Sequence, residues 1–253
     1  MITAPDERDR VVWLVPTRLV RLETYRKFLA SLRRFAPEIE AAVVYASHSE
    51  ADAFAQQGCR ADIVFVLEDF FSPEEVEAFL AKRSIINVKK LFAVKALFQQ
   101  ERVSRVIVTD DEVEIFQPLG LNRVLDYEPV YSFHKVSNEF LRKVIASPLA
   151  LLTDPGEKLR VHDFFVEGDF YGWFSDIPIY EKEHIERFFE RYGLRNTADF
   201  SRLSFESFDW IMYAYSKFLD WEPQSFTNSL GRLLVMQHRG LKWAIGVDAV
   251  ARC

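Results

Sequence analysis

Residues Val11-Val12-Trp13-Leu14-Val15 form an unbroken apolar, largely β-branched run that stops at Pro16-Thr17-Arg18. A run of that kind predicts a strand buried on both faces, as in a parallel sheet. From Leu22 to Phe35 the pattern changes, with apolar residues at Leu22, Tyr25, Phe28, Leu29 and Leu32. That spacing predicts an amphipathic helix. Residues 41–45 read as a second strand, 50–57 as an acidic, Ala-rich helix and 62–67 as a third strand. Ser72-Pro73-Glu74-Glu75 opens a further helix, because Ser caps, Pro suits the first turn and carboxylates favour the positive dipole end. A helix over about 88–99 precedes a fourth strand at 105–108, which runs directly into Thr109-Asp110-Asp111-Glu112.

Strands alternating with helices predict an open α/β sheet with crossover connections. The second half is less regular. Residues 130–134 suggest a strand and 138–145 a helix, 168–180 are rich in aromatics, and 182–192 and 205–218 suggest helices. With no repeat, low-complexity tract or Gly/Ser linker, the expectation is one domain over 1–253, a nucleotide-type half at about 10–116 elaborated by 117–253.

Composition narrows the classes. The 253 residues are 49% hydrophobic and 28% charged, which excludes a disordered tail or a small disulfide-stapled module. The net charge of −6 argues against a nucleic-acid partner, which calls for a basic face. Cys59 and Cys253 are the two cysteines and match no metal or redox spacing, so a reducing cytoplasm is expected. The stretch from Met1 to Arg10 is too charged for a signal peptide. No apolar run approaches the roughly 18 to 20 residues that span a bilayer, and docking on the inner membrane face stays compatible with the chain.

The dinucleotide fingerprint, the P-loop, the nucleophile elbow and the zinc helix H-E-x-x-H are all absent, and nine glycines make a Gly-rich phosphate cradle a poor expectation. The chemistry concentrates instead at Asp110, Asp111 and Glu112, at the carboxyl end of a strand, where open α/β sheets place ligands. Three adjacent carboxylates repel one another, and Mg²⁺ or Mn²⁺ would relieve that repulsion while accepting diphosphate oxygens. In an extended stretch Asp110 and Glu112 would point one way and Asp111 the other. The competing reading is a solvated acidic turn.

An α/β half ending in a strand plus Asp110-Asp111-Glu112 resembles the GT-A-fold, DXD-type glycosyltransferases of bacterial polysaccharide synthesis, with D-x-E in place of D-x-D. The resemblance implies a GT-A-like α/β domain with a Rossmann-like nucleotide half, a mixed sheet and an acceptor-binding second half. It implies Mn²⁺ or Mg²⁺ held by Asp110 with Asp111 or Glu112, and a nucleotide-sugar donor, expected to be a UDP-sugar, with a glycan or lipid-linked acceptor. Lys90, within Asn87-Val-Lys-Lys-Leu91, is similar to the lysine on the helix before the metal motif. Gln237-His238-Arg239-Gly240-Leu241-Lys242-Trp243 resembles a shortened H-x-x-G-x-x-K-P-W segment of glycogenin-like transferases, which implies His238 at the metal and Lys242 at the diphosphate. Pro16, Thr17 and Arg18 stand where that fold holds base, ribose and phosphate.

Glu206 and Asp209 lie three apart, so a helix would put both on one face. Ser204–Tyr213 loosely resembles a helix-opening S-E-Y-E-x-Y segment of the bacterial transferases, which implies that these acids face the acceptor as candidates for the general base of an inverting transfer, Asp209 ahead of Glu206. Two other classes stay open: a non-catalytic nucleotide- or glycan-binding module, and a nucleotidyltransferase. The latter calls for a Gly-rich basic loop after the first strand, which Pro16-Thr17-Arg18 does not supply. A phosphatase of the haloacid dehalogenase type needs its D-x-D on the first strand.

Overall fold

The computed structural model describes residues 9–127, 131–174 and 178–220, with two further strands at 234–238 and 241–245. For 131–134, 172–174 and those two strands the description is of backbone alone. In chain order the first half runs β1 (Arg10–Pro16), α1 (Leu22–Phe35), β2 (Glu40–Tyr45), α2 (His48–Gln56), β3 (Ile63–Val66), α3 (Pro73–Ala81), α4 (Ile85–Phe98) and β4 (Val103–Val108). The second half continues with β5 (Val113–Ile115), α5 (Leu121–Leu125), β6 (Tyr131–Lys135), α6 (Glu139–Leu151), α7 (Pro155–Val161), β7 (Phe170–Phe174) and β8 (Ile179–Glu181). It ends with α8 (Lys182–Arg191), α9 (Asp209–Asp220), β9 (Leu234–His238) and β10 (Leu241–Ile245).

The main sheet has five strands in the order β3-β2-β1-β4-β8. Its first four are parallel and β8 joins β4 antiparallel, so the expected α/β class with a mixed, mostly parallel sheet holds. Alternation along β1 explains the layering. Val12 and Leu14, with Ala42, Val44, Val106 and Val108, face a core shared with α4, α6, α8 and α9. Val11, Trp13 and Val15 face the opposite core, built with Tyr25, Phe28 and Leu32 of α1. Residues of opposite parity point to opposite faces of a strand, and each face here has a helical cover. The cap expected at Ser72 is present and proves to be a reciprocal capping box, with Ser72 Oγ accepting from the Glu75 amide and the Glu75 carboxylate accepting from the Ser72 amide.

Three local expectations change. The last helix begins at Asp209, because Ser207 Oγ accepts the Ser204 amide at 3.0 Å and Ser204 Oγ accepts the Glu206 amide at 3.2 Å. Those bonds hold the segment as a turn, so Glu206 and Asp209 do not share a helix face. The α6 helix runs on to Leu151, past Pro148, which forfeits one backbone hydrogen bond, to the carbonyl of Val144. Beyond β4 the chain turns at Asp111-Glu112, so the acidic triplet is not an extended stretch. No helix among the described residues is long and apolar enough to cross a membrane.

Candidate functional site

From β1 the chain builds outward through β2 to β3, then returns to lay β4 on the other side of β1. The carboxyl ends of β1 and β4 therefore border the crevice where strand order reverses, the usual ligand position in such sheets. One wall is Pro16-Thr17-Arg18, the other Thr109-Asp110-Asp111-Glu112. The two walls are tied together from within. Trp13 Nε1 donates to Thr109 Oγ1 at 2.8 Å, and Thr17 Oγ1 donates to the Asp111 carboxylate at 2.7 Å.

The turn after β4 sends the three carboxylates in different directions. Asp110 pairs with Lys90 Nζ at 3.1 Å, Asp111 takes the Thr17 hydroxyl, and Glu112 pairs with Arg21 at 2.5 Å. Burial pushes Asp111 above the usual carboxylate range, against the Thr17 hydrogen bond and the Arg21 charge. The Asp110 side chain keeps 30% of its surface open, whereas that of Glu112 keeps 7%. Among the described residues no group of three or more His, Cys, Asp or Glu gathers as a metal cage. A divalent ion fits this donor set in one form, with Asp110 as the protein carboxylate and a ligand's phosphate oxygens supplying much of the shell. Mg²⁺ in particular is held this way, by one or two carboxylates plus phosphates.

Helix α4 supplies the floor. It is apolar on nearly every side, with Val88, Leu91, Ala93, Val94 and Leu97 all buried, yet it carries Asn87, Lys89 and Lys90 into the interior. Each clamps a different segment. Asn87 donates to the carbonyls of Ser204 and Phe205 at 2.9 and 3.0 Å, fixing the turn that bears Glu206. Lys89 donates to the Thr17 carbonyl at 2.6 Å and reaches Glu50 at 3.2 Å. Lys90 lies between Asp110 and Asp209, the latter at 3.5 Å, with its ammonium 4.4 Å from the centre of the Trp210 ring. Burial works against the Lys90 charge, but Asp110 and Asp209 together outweigh it and hold the ammonium above its ordinary pKa. Burial dominates at Lys89 and lowers it, with Glu50 opposing and Arg18 assisting.

Asp209 is 1% exposed; one oxygen accepts from Tyr180 Oη at 2.6 Å and the other faces Lys90. Glu206 is partly exposed on its clamped turn. His238 pairs in backbone register with Val113, the residue after Glu112, and Lys242 pairs with Gln237 one strand further out. The side chains of His238 and Lys242 lie outside the described residues. The structure thus joins Lys90 to Asp110 and Asp209 in one contact set and Thr17 to Asp111 in another, the two meeting only through the adjacent residues Asp110 and Asp111, and sets Glu206 on a separate turn.

Sequence reasoning passed over Lys89, Glu50, Arg21 and Tyr180. For the first of these a signal was present. In Ile85–Phe98 two adjacent lysines sit in a helix with no polar face wide enough to solvate both, so each must find an internal partner.

No family model and no curated protein matches the chain. Among solved structures, core-mannan synthase A (CmsA/Ktr4) from Aspergillus fumigatus, in an Mn/GDP form, is similar at 11% identity and a TM-score of 0.42, over 85% of this chain and 71% of that one. The mannosyltransferase Ktr4p from S. cerevisiae is similar at 10% identity and a TM-score of 0.43, over 84% and 67%.

Proposed function

We propose that this protein is a GT-A-type glycosyltransferase that moves a sugar from a nucleotide-diphosphate donor to a glycan or lipid-linked acceptor in surface polysaccharide synthesis. The observation that carries the reading is the meeting, at the β1–β4 crevice, of a polar loop (Thr17-Arg18) with a partly open Asp110 backed by the buried Lys90. Residues at about 10–116 would form the donor half and 117–253 the acceptor half. The cysteine usage suits a cytoplasmic enzyme, with a lipid-linked acceptor reached at the inner membrane face.

In the reaction the bond between the sugar's anomeric carbon and the diphosphate oxygen breaks, and a bond to an acceptor hydroxyl oxygen forms. The hydroxyl proton goes to a base, and the nucleotide diphosphate leaves with the bonding electrons. Pro16 and Thr17, both buried, would set the course of the loop beside the nucleoside, and the exposed Arg18 would meet a phosphate. Lys90 places a fixed positive charge behind Asp110, which lowers the cost of gathering negative charge in the crevice. Mn²⁺ or Mg²⁺ on Asp110, when bound with the donor, supplies Lewis-acid stabilisation of the departing diphosphate. His238, in register with Val113, would be a further ligand, and Lys242 would approach the phosphates. On the acceptor side, Glu206 is the accessible acid for an inverting transfer, and Asp209, with both oxygens engaged, acts by positioning Lys90.

The test is nucleotide release from a panel of UDP- and GDP-sugars with Mn²⁺, with and without crude glycan acceptors. Release of one nucleotide, lost in Asp110→Asn, supports the reading. The divergence of the three carboxylates favours one alternative, a non-catalytic nucleotide- or glycan-binding module. Binding of a nucleotide with no turnover of any donor would select that alternative.

A further inference from the structure

The loop after β1 is held by a device outside the acidic motif. The Lys89 ammonium donates to the Thr17 carbonyl at 2.6 Å and to Glu50 Oε2 at 3.2 Å. The same Glu50 carboxylate accepts the backbone amides of Leu19 at 2.9 Å and Ala46 at 2.8 Å. Glu50 is itself fixed in the first turn of α2, where its amide is capped by Ser47 Oγ. One ammonium and one carboxylate, with side chains 5% and 13% exposed, thereby join three segments: the β1 loop, the β2–α2 connection and α4. Thr17 is gripped from two sides, its carbonyl by Lys89 and its hydroxyl by Asp111. Arg18, next along, stays exposed.

We infer that Lys89, acting through Glu50, is a positioning residue that pre-orders the Thr17–Leu19 loop for the nucleotide-diphosphate donor. The inference rests on the proposed donor reading for its ligand and on the hydrogen bonds alone for its mechanics. A loop left loose would pay its ordering entropy at each binding event, weakening affinity without altering the bond-breaking step. A loop fixed beforehand presents the exposed Arg18 at no further cost. The groups that set the Lys89 charge are Glu50 and Asp111, which favour it, and Arg18, which opposes it along with burial. Lys90 differs in kind, because its partners lie in the β4 turn and α9 and none belongs to the β1 loop.

Native-state amide exchange on the full chain without ligand tests the mechanics. In Lys89→Met the Leu19 and Ala46 amides should lose protection by about tenfold or more, a local opening, while Leu14 and Val43 in the sheet keep theirs. Lys89→Arg, which retains the charge, should restore much of the protection. A folded Lys89→Met with unchanged Leu19 and Ala46 exchange overturns the inference. If that variant does not fold, the double variant Lys89→Met with Glu50→Gln leaves no uncompensated buried charge. Faster Leu19 exchange in the double variant than in Glu50→Gln alone supports the inference, and equal exchange overturns it. Titration with UDP and GDP then tests the ligand side: the nucleotide that binds wild type should bind Lys89→Met about tenfold more weakly. If wild type binds neither, the donor reading fails, and amide exchange still decides whether Lys89 positions the loop.

Discussion

Lys89 and Lys90 are neighbours on one helix and almost equally withdrawn from water, at 4% and 2% exposure, yet their charges are held in opposite senses. Burial penalises both ammonium groups. Lys90 is lodged between the carboxylates of Asp110 and Asp209 and over Trp210, and its pKa rises. Lys89 meets one carboxylate and a carbonyl, with Arg18 nearby, and its pKa falls. Burial sets the cost of a charge, and the balance of opposite and like charges around it decides whether the cost is met. The Lys90 side of the crevice is a rigid, charge-compensated floor. The Lys89 side is a clamp on a loop.

The sharpest way to break the contrast is Lys90→Met. Removing the ammonium breaks its pairing with the buried Asp209 as well as with Asp110 and should cost about 3–5 kcal/mol in urea unfolding. A loss below about 1 kcal/mol would mean that the floor behaves as a solvated surface. Lys89→Met should cost less, about 1.5–3 kcal/mol, the range for hydrogen bonds to charged groups. Equal losses in the two variants would erase the distinction between floor and clamp.

A smaller effect follows from pH. Lys90 has a raised folded pKa, so its stabilisation is complete below the ordinary lysine value of 10.5 and declines as pH climbs through the folded pKa. The margin of wild type over Lys90→Met should therefore narrow above pH 10.5. Lys89 has a lowered pKa, so the unfolded chain binds more protons between that pKa and 10.5. The margin of wild type over Lys89→Met should widen with pH across that window. Unfolding free energies of the three proteins from pH 8 upward check both signs, and margins that move together would contradict the opposed shifts.

Much of the first half could be read from the chain because local pattern and tertiary outcome agree there. The apolar run at Val11–Val15, the periodicity of Leu22–Phe35 and the cap at Ser72 each have a single consistent solution. The site was less legible, since its partners are set by topology. The chain shows Asp110, Asp111 and Glu112 in a row, but a turn at Asp111-Glu112 sends them to three different groups. From the chain alone Asp209 is the preferred candidate for a general base. Only packing against β8 and α4 reveals that Tyr180 and Lys90 occupy its oxygens. Similarly, Ser204 and Ser207 bond within their own turn and delay the helix to Asp209, a competition between side chain and backbone that periodicity does not register.

The central claim is that the β1–β4 crevice binds a nucleotide diphosphate through Asp110, and calorimetric titration of UDP and GDP with and without Mn²⁺ tests it most directly. The account expects one nucleotide to bind wild type and Mn²⁺ to tighten it by about tenfold or more, a coupling that Asp110→Asn abolishes. Failure of both nucleotides to bind, or an undiminished Mn²⁺ effect in Asp110→Asn, would contradict it.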